Sequence, residues 1–103
     1  MPINFNIPLV GANGGSLTGS NIATGQVSVT SSATQIVPVR VGRKSVIIVN
    51  PGAGFLYIGK SDVTLSTGVL LEYIYNNTLT LHTEAAVFGI CASTQTATFI
   101  EIY

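Results

Sequence analysis

The sequence predicts an all-β fold: one small sandwich or barrel of about seven or eight strands, preceded by an extended N-terminal arm. Three observations carry this. Short runs of β-branched and aromatic residues recur at roughly 8–12-residue spacing, separated by Gly, Pro, Asn and Ser. No window of about 11 residues keeps an i, i+3, i+4, i+7 apolar stripe free of Gly or Pro, so helix is nearly absent. Hydrophobic residues make up 47% of the 103, which is too many for a disordered chain of zero net charge.

The strands follow in order. Val27-Ser28-Val29 alternates, and so does Val37-Pro38-Val39-Arg40-Val41, where Pro38 marks an edge or a strand end. Val46-Ile47-Ile48-Val49 is a continuous β-branched run, as in a strand covered on both faces. Asn50-Pro51-Gly52-Ala53-Gly54 is a turn by composition, and Phe55-Leu56-Tyr57-Ile58 then reads as the returning arm of a hairpin. Leu70 to Tyr75, Leu79 to His82, Val87 to Ala92 and Ala97 to Tyr103 complete the set. Val46, Ile48, Phe55, Tyr57, Leu79, Leu81, Phe88, Ile90 and Ile100 are the candidates for core or subunit contact.

The first 26 residues differ in texture. Gly11-Ala12-Asn13-Gly14-Gly15-Ser16 and Thr18-Gly19-Ser20-Asn21 hold no period, while Ile3, Phe5 and Ile7 alternate as one strand's worth of apolar residues. Residues 1–26 therefore read as an arm that adds a strand to a neighbour, and residues 27–103 as the packed body. A body this small, without a disulfide or metal staple, is expected to oligomerise. Sparse charge agrees, because interface centres shed charged residues.

Composition excludes several functions. Charged side chains are 8% of the chain, against about 25% in an ordinary soluble domain. Net charge is zero, so nothing in the charge balance suits nucleic acid. No apolar run approaches the roughly 18 residues of a membrane helix, no secretory signal is recognisable, and the chain is expected to be made in a cytosol and to stay soluble. The single cysteine, Cys91, rules out an intramolecular disulfide and reads as a small buried apolar residue.

No motif points to catalysis. Gly52-Ala53-Gly54 has Tyr57 where a dinucleotide fingerprint needs its third Gly, and strand where it needs helix. Gly14-Gly15-Ser16-Leu17-Thr18 has Thr18 where a nucleophile elbow closes on Gly. His82 and Glu84 would share one face of a continuing strand, but nothing supplies a nucleophile or an oxyanion hole. The acids are scattered singly, so neither a metal nor any other cofactor is expected, and no enzyme. Arg40, Arg43 and Lys44 around Gly42 form the one basic cluster: a solvated turn, or a set of charges that docks on an acidic protein surface. Tyr57, Tyr73, Tyr75 and Tyr103 suit sheet faces, interfaces or sugar stacking.

Ala33-Thr34-Gln35-Ile36-Val37, Arg43-Lys44-Ser45-Val46-Ile47-Ile48-Val49-Asn50, Gly54-Phe55-Leu56-Tyr57-Ile58-Gly59 and Ala85-Ala86-Val87-Phe88-Gly89-Ile90 together resemble small β-rich phage virion proteins. These are head-decoration (capsid cement) proteins and head-fibre bases. The resemblance spans residues 33–103 and brings no catalytic residue. It implies a structural protein on the exterior of a phage capsid, a homotrimer whose partner is the major capsid protein. The uncharged alternation of Ile3, Phe5 and Ile7 and the basic cluster Arg40, Arg43 and Lys44, read from the residues themselves, are the expected partner contacts. The alternative the resemblance leaves is a fibre or tail adhesin that stacks host glycans on its tyrosines.

Overall fold

The computed structural model describes residues 18–52 and 54–103. These form eight strands: β1 (Ile22–Val29), β2 (Thr34–Val37), β3 (Ser45–Val49), β4 (Phe55–Gly59), β5 (Val69–Glu72), β6 (Thr78–Leu81), β7 (Val87–Ile90) and β8 (Gln95–Ile102). No helix occurs among the described residues. The first sheet runs β1-β8-β3-β6 and the second β2-β7-β4-β5, with every pairing antiparallel. Only β4 and β5 are consecutive neighbours; every other connection crosses between the sheets. That strand order is a jelly roll. The expected all-β sandwich is what the chain builds.

Three local readings change. Val46–Val49 and Phe55–Ile58 are not a hairpin, because β3 lies in the first sheet and β4 in the second. Asn50 turns the chain across. Its side chain is fully buried and donates to the carbonyls of Gly54 and Leu71, both at 2.9 Å, while its Oδ1 accepts from Gly52 N–H at 3.1 Å. A side chain that binds the backbone of its own crossing loop and of β5 replaces the ladder a hairpin would have formed.

The strand expected to run through Pro38 stops at Val37, leaving Val39 and Val41 exposed. Pro38 has no N–H for a ladder, and a bulge between Gln35 and Val37 has already disturbed the register with β7. Conversely, β1 begins at Ile22, inside the stretch read as arm. Its first inward positions, Ala23 and Gly25, are too small to show as an apolar alternation, yet β1 pairs with β8 along its whole length, from Ile22↔Ile102 to Val29↔Gln95. Residues 1–17, with Ile3, Phe5 and Ile7, lie outside the described residues.

The core lies between the sheets. Val29, Val37, Val46, Ile48, Leu56 and Leu71 are completely buried, with Ile36, Ile58, Val87, Cys91 and Ala97 around them. Of the expected core, Val46 and Ile48 are there and Leu79 and Leu81 pack against it. Phe55, Tyr57, Phe88 and Ile90 take the other parity. In β4 the inward pair is Leu56 and Ile58, and in β7 Val87 and Gly89 face in. The register Tyr57↔Ile90 and Tyr57↔Leu70 puts these side chains on the outer face of the second sheet.

Candidate functional site

The basic loop is the first place to look, and its charges are largely consumed by the fold. Arg40-Val41-Gly42-Arg43 is a tight turn closed by Arg43 N–H to Arg40 C=O at 3.1 Å, with Gly42 at φ +88°. That φ favours Gly at the third turn position. The turn aims Arg43 inward, and its side chain has no exposed surface. It donates to the carbonyls of Thr83 (3.0 Å), Pro38 (2.9 Å) and Ala85 (2.6 Å), and to Glu101 Oε2 at 3.1 Å. Four of its five donors are thus met inside the subunit. Arg43 has no face to offer a partner.

Arg40 shares the same carboxylate, with Nε 3.2 Å from Glu101 Oε2 and the guanidinium 4.0 Å from the centre of the Tyr103 ring. The hydrogen bond to Glu101 raises its pKa above the ordinary arginine value. Nearby, Gly42 N–H donates to Glu84 at 2.7 Å. Glu84 is therefore a turn-holding acceptor and not half of an acid–base pair with the exposed His82. Lys44 is half-buried, its N–H bonded to the carbonyl of Ile102. The structure brings Arg40 and Arg43 together on Glu101, as a clasp joining β8 to the 38–43 and 83–85 loops.

Chemical sites are no more evident elsewhere. Among the described residues no three His, Cys, Asp or Glu stand close enough to hold a metal. No described helix is long and apolar enough to cross a membrane. Cys91 is fully buried, its thiol donating to the carbonyl of Val29 at 3.0 Å. Burial pushes its pKa up, so the thiolate that disulfide chemistry needs is suppressed.

The surface is more informative. On the outer face of the second sheet Phe55, Tyr57, Leu70, Phe88 and Ile90 are neighbours. The face continues into Tyr73, Ile74 and Tyr75 beyond β5, where Ile74 is 74% and Tyr75 82% exposed. Phe55 lines two shallow hollows, one with Tyr57 and Leu65 and one with Tyr73 and Tyr75. Aromatic anchors in such a continuous patch are the composition of a protein interface. Among the described strands each sheet also has two edges without a further partner: β1 and β6 on the first, β2 and β5 on the second. Sequence reading offered Phe55, Tyr57, Phe88 and Ile90 as core or subunit contacts and Tyr73 and Tyr75 as sheet-face or interface residues, without seeing that they share a face with Leu70 and Ile74. Only the β4–β5–β7 register reveals that.

No protein-family model and no curated protein sequence matches the chain. A solved structure does. It is a chain of Bacillus endospore appendages, which are described as "a novel family of disulfide-linked pili". The TM-score is 0.51 at 15% identity, over 95% of this chain and 97% of that one. The likeness is one of fold.

It overturns the resemblance to phage virion proteins. The strands that carried that resemblance belong to a sandwich superposable, nearly end to end, on a pilus protein. The capsid-decoration and adhesin readings fall with it, as do the major capsid protein as partner, the virion as location and the trimer borrowed from those proteins. Short strand motifs such as Val46-Ile47-Ile48-Val49 report a buried β-strand, and unrelated sandwiches share them for that reason. The fold matches a structural protein, and no metal cluster or cysteine motif for catalysis occurs among the described residues.

Proposed function

We propose that the chain is a self-assembling structural subunit of an extracellular, pilus-like appendage. The observation that carries this reading is the fold likeness to the endospore-appendage chain, which spans both chains almost completely. The surface supports it: sheet edges without a further partner among the described strands, a continuous aromatic patch and few charges to keep copies apart. Joining copies edge to edge or face to face would cover apolar surface that a lone subunit leaves in water. Assembly differs in one respect from the "disulfide-linked" pili. This chain has a single cysteine, and it is buried, so contacts between copies are non-covalent.

Negative-stain microscopy and sedimentation of the purified chain test this. Filaments or large regular polymers are expected, unchanged by a thiol reductant. A chain that stays monomeric at high micromolar concentration overturns the reading.

A further inference from the structure

The edge strand β6 has one partner among the described strands, β3, so among the described residues its other side has no ladder for its N–H and C=O groups. Beneath that edge the sandwich is not closed. An apolar cleft of about 300 Å³ opens there, lined by Leu79 and Leu81 of β6, Ile58, Val69 and Val87, with Lys60 also on its wall. Val69 is half exposed at this wall. A strand laid along β6 would send alternate side chains into the cleft and the others outward, beside Thr78 and Thr80. Its inward residues must be apolar, its outward ones polar, and none charged.

Ile3-Asn4-Phe5-Asn6-Ile7 has that pattern, and Pro8 would end the pairing. No charged side chain occurs before Arg40, so no ion would be carried into the cleft. Ser20 and Asn21 donate to the carbonyl of Tyr103 at 2.9 and 2.6 Å, which fixes the entering chain at the β1 flank. β1 and β6 are opposite edges of the first sheet. Residues 8–17 can span roughly 34 Å, enough to leave one subunit and reach the next. The reach admits the subunit's own β6, three strand spacings of about 4.8 Å away, as well as a neighbour's, and the polymerising reading selects the neighbour. Donor and acceptor on opposite flanks make a head-to-tail contact, which propagates as a filament.

We infer that residues 3–7 of one copy add as a strand to β6 of the next, burying Ile3, Phe5 and Ile7 in the cleft. This rests on the reading that the chain polymerises, and it names the contact that joins copies.

The test uses the full chain carrying Phe5→Cys and Val69→Cys, oxidised with diamide and run on a non-reducing denaturing gel. A ladder of covalent multimers that collapses with reductant is expected, whereas Phe5→Cys alone should give dimers at most. No cross-link, or a cross-linked monomer, overturns the inference. In parallel, Ile3→Ser/Phe5→Ser/Ile7→Ser should weaken polymerisation at least tenfold by sedimentation. Undiminished polymers from that variant overturn the inference alone; a monomeric parent chain overturns it together with the appendage reading.

Discussion

Strand β3 has a buried polar side chain just beyond each end, and the two ends solve the same problem differently. Arg43 precedes the strand and gathers three loop carbonyls and the Glu101 carboxylate. Asn50 follows it and gathers Gly54, Leu71 and Gly52. At both ends the chain crosses between sheets, where ladder hydrogen bonds stop and backbone carbonyls would be left dry. The charged end reaches farther, tying residues about 60 positions apart, but it keeps two ions out of water. Such a pair adds little net stability while intact and costs much when one member is removed. The neutral end carries no such penalty. The difference teaches that this small core is closed at its ends by polar staples, in place of disulfides.

The largest expected effect is at the charged end. Arg43→Met leaves Glu101 buried with only the half-exposed Arg40, and three carbonyls without donors. A loss of about 3–5 kcal/mol is expected by urea unfolding. Arg43→Lys should recover little of it, because one ammonium cannot reach acceptors spread over three segments as a planar fork does. A loss below about 1 kcal/mol for Arg43→Met would show that the clasp is dispensable.

The neutral end should respond less. Asn50→Ala strands two carbonyls and one N–H, for about 1–3 kcal/mol. Asn50→Asp sharpens the comparison. It keeps the acceptor for Gly52 but sets a carboxylate against the carbonyls of Gly54 and Leu71, so it should be worse than Ala. If Asp proves milder than Ala, the Gly52 contact matters more than the two donations, and the crossing is held differently from this account.

Neither end was legible beforehand, for one physical reason. Sequence reading sees local composition, so Arg43 beside Gly42 looked like a solvated turn charge and Asn50-Pro51-Gly52 like a hairpin turn. What makes each a staple is a partner far along the chain: Glu101 for Arg43, Leu71 for Asn50. The strands themselves were legible, because β-branched runs and turn residues are local signals. Facing was legible only where polar residues alternate, as in Thr78-Leu79-Thr80-Leu81. In Phe55-Leu56-Tyr57-Ile58 every residue is apolar, so the parity that sends Leu56 in and Phe55 out had no marker. The aromatic patch was hidden by the same ambiguity. Ile3, Phe5 and Ile7 were visible as an apolar alternation, but the cleft at β6 needs the three-dimensional gap between sheets.

A third buried polar group gives the smallest effect and extends the comparison to a group that is neutral yet can ionise. The Cys91 thiol donates to Val29, and burial raises its pKa above the ordinary 9.0. Below that ordinary value the thiol is protonated in both the folded and unfolded chain, and its full contribution to stability is present. As pH rises past it, the unfolded chain releases the proton first while the folded chain holds it. The unfolded state then binds fewer protons, so stability falls with rising pH until the folded thiol titrates too. Urea midpoints at about pH 8 and about pH 10 should therefore fall further apart in the parent than in Cys91→Ala. The Asn50 amide has no proton to titrate in this range, so the neutral end should not contribute to that difference. An equal fall in parent and variant would mean that the thiol gains nothing from its place against Val29.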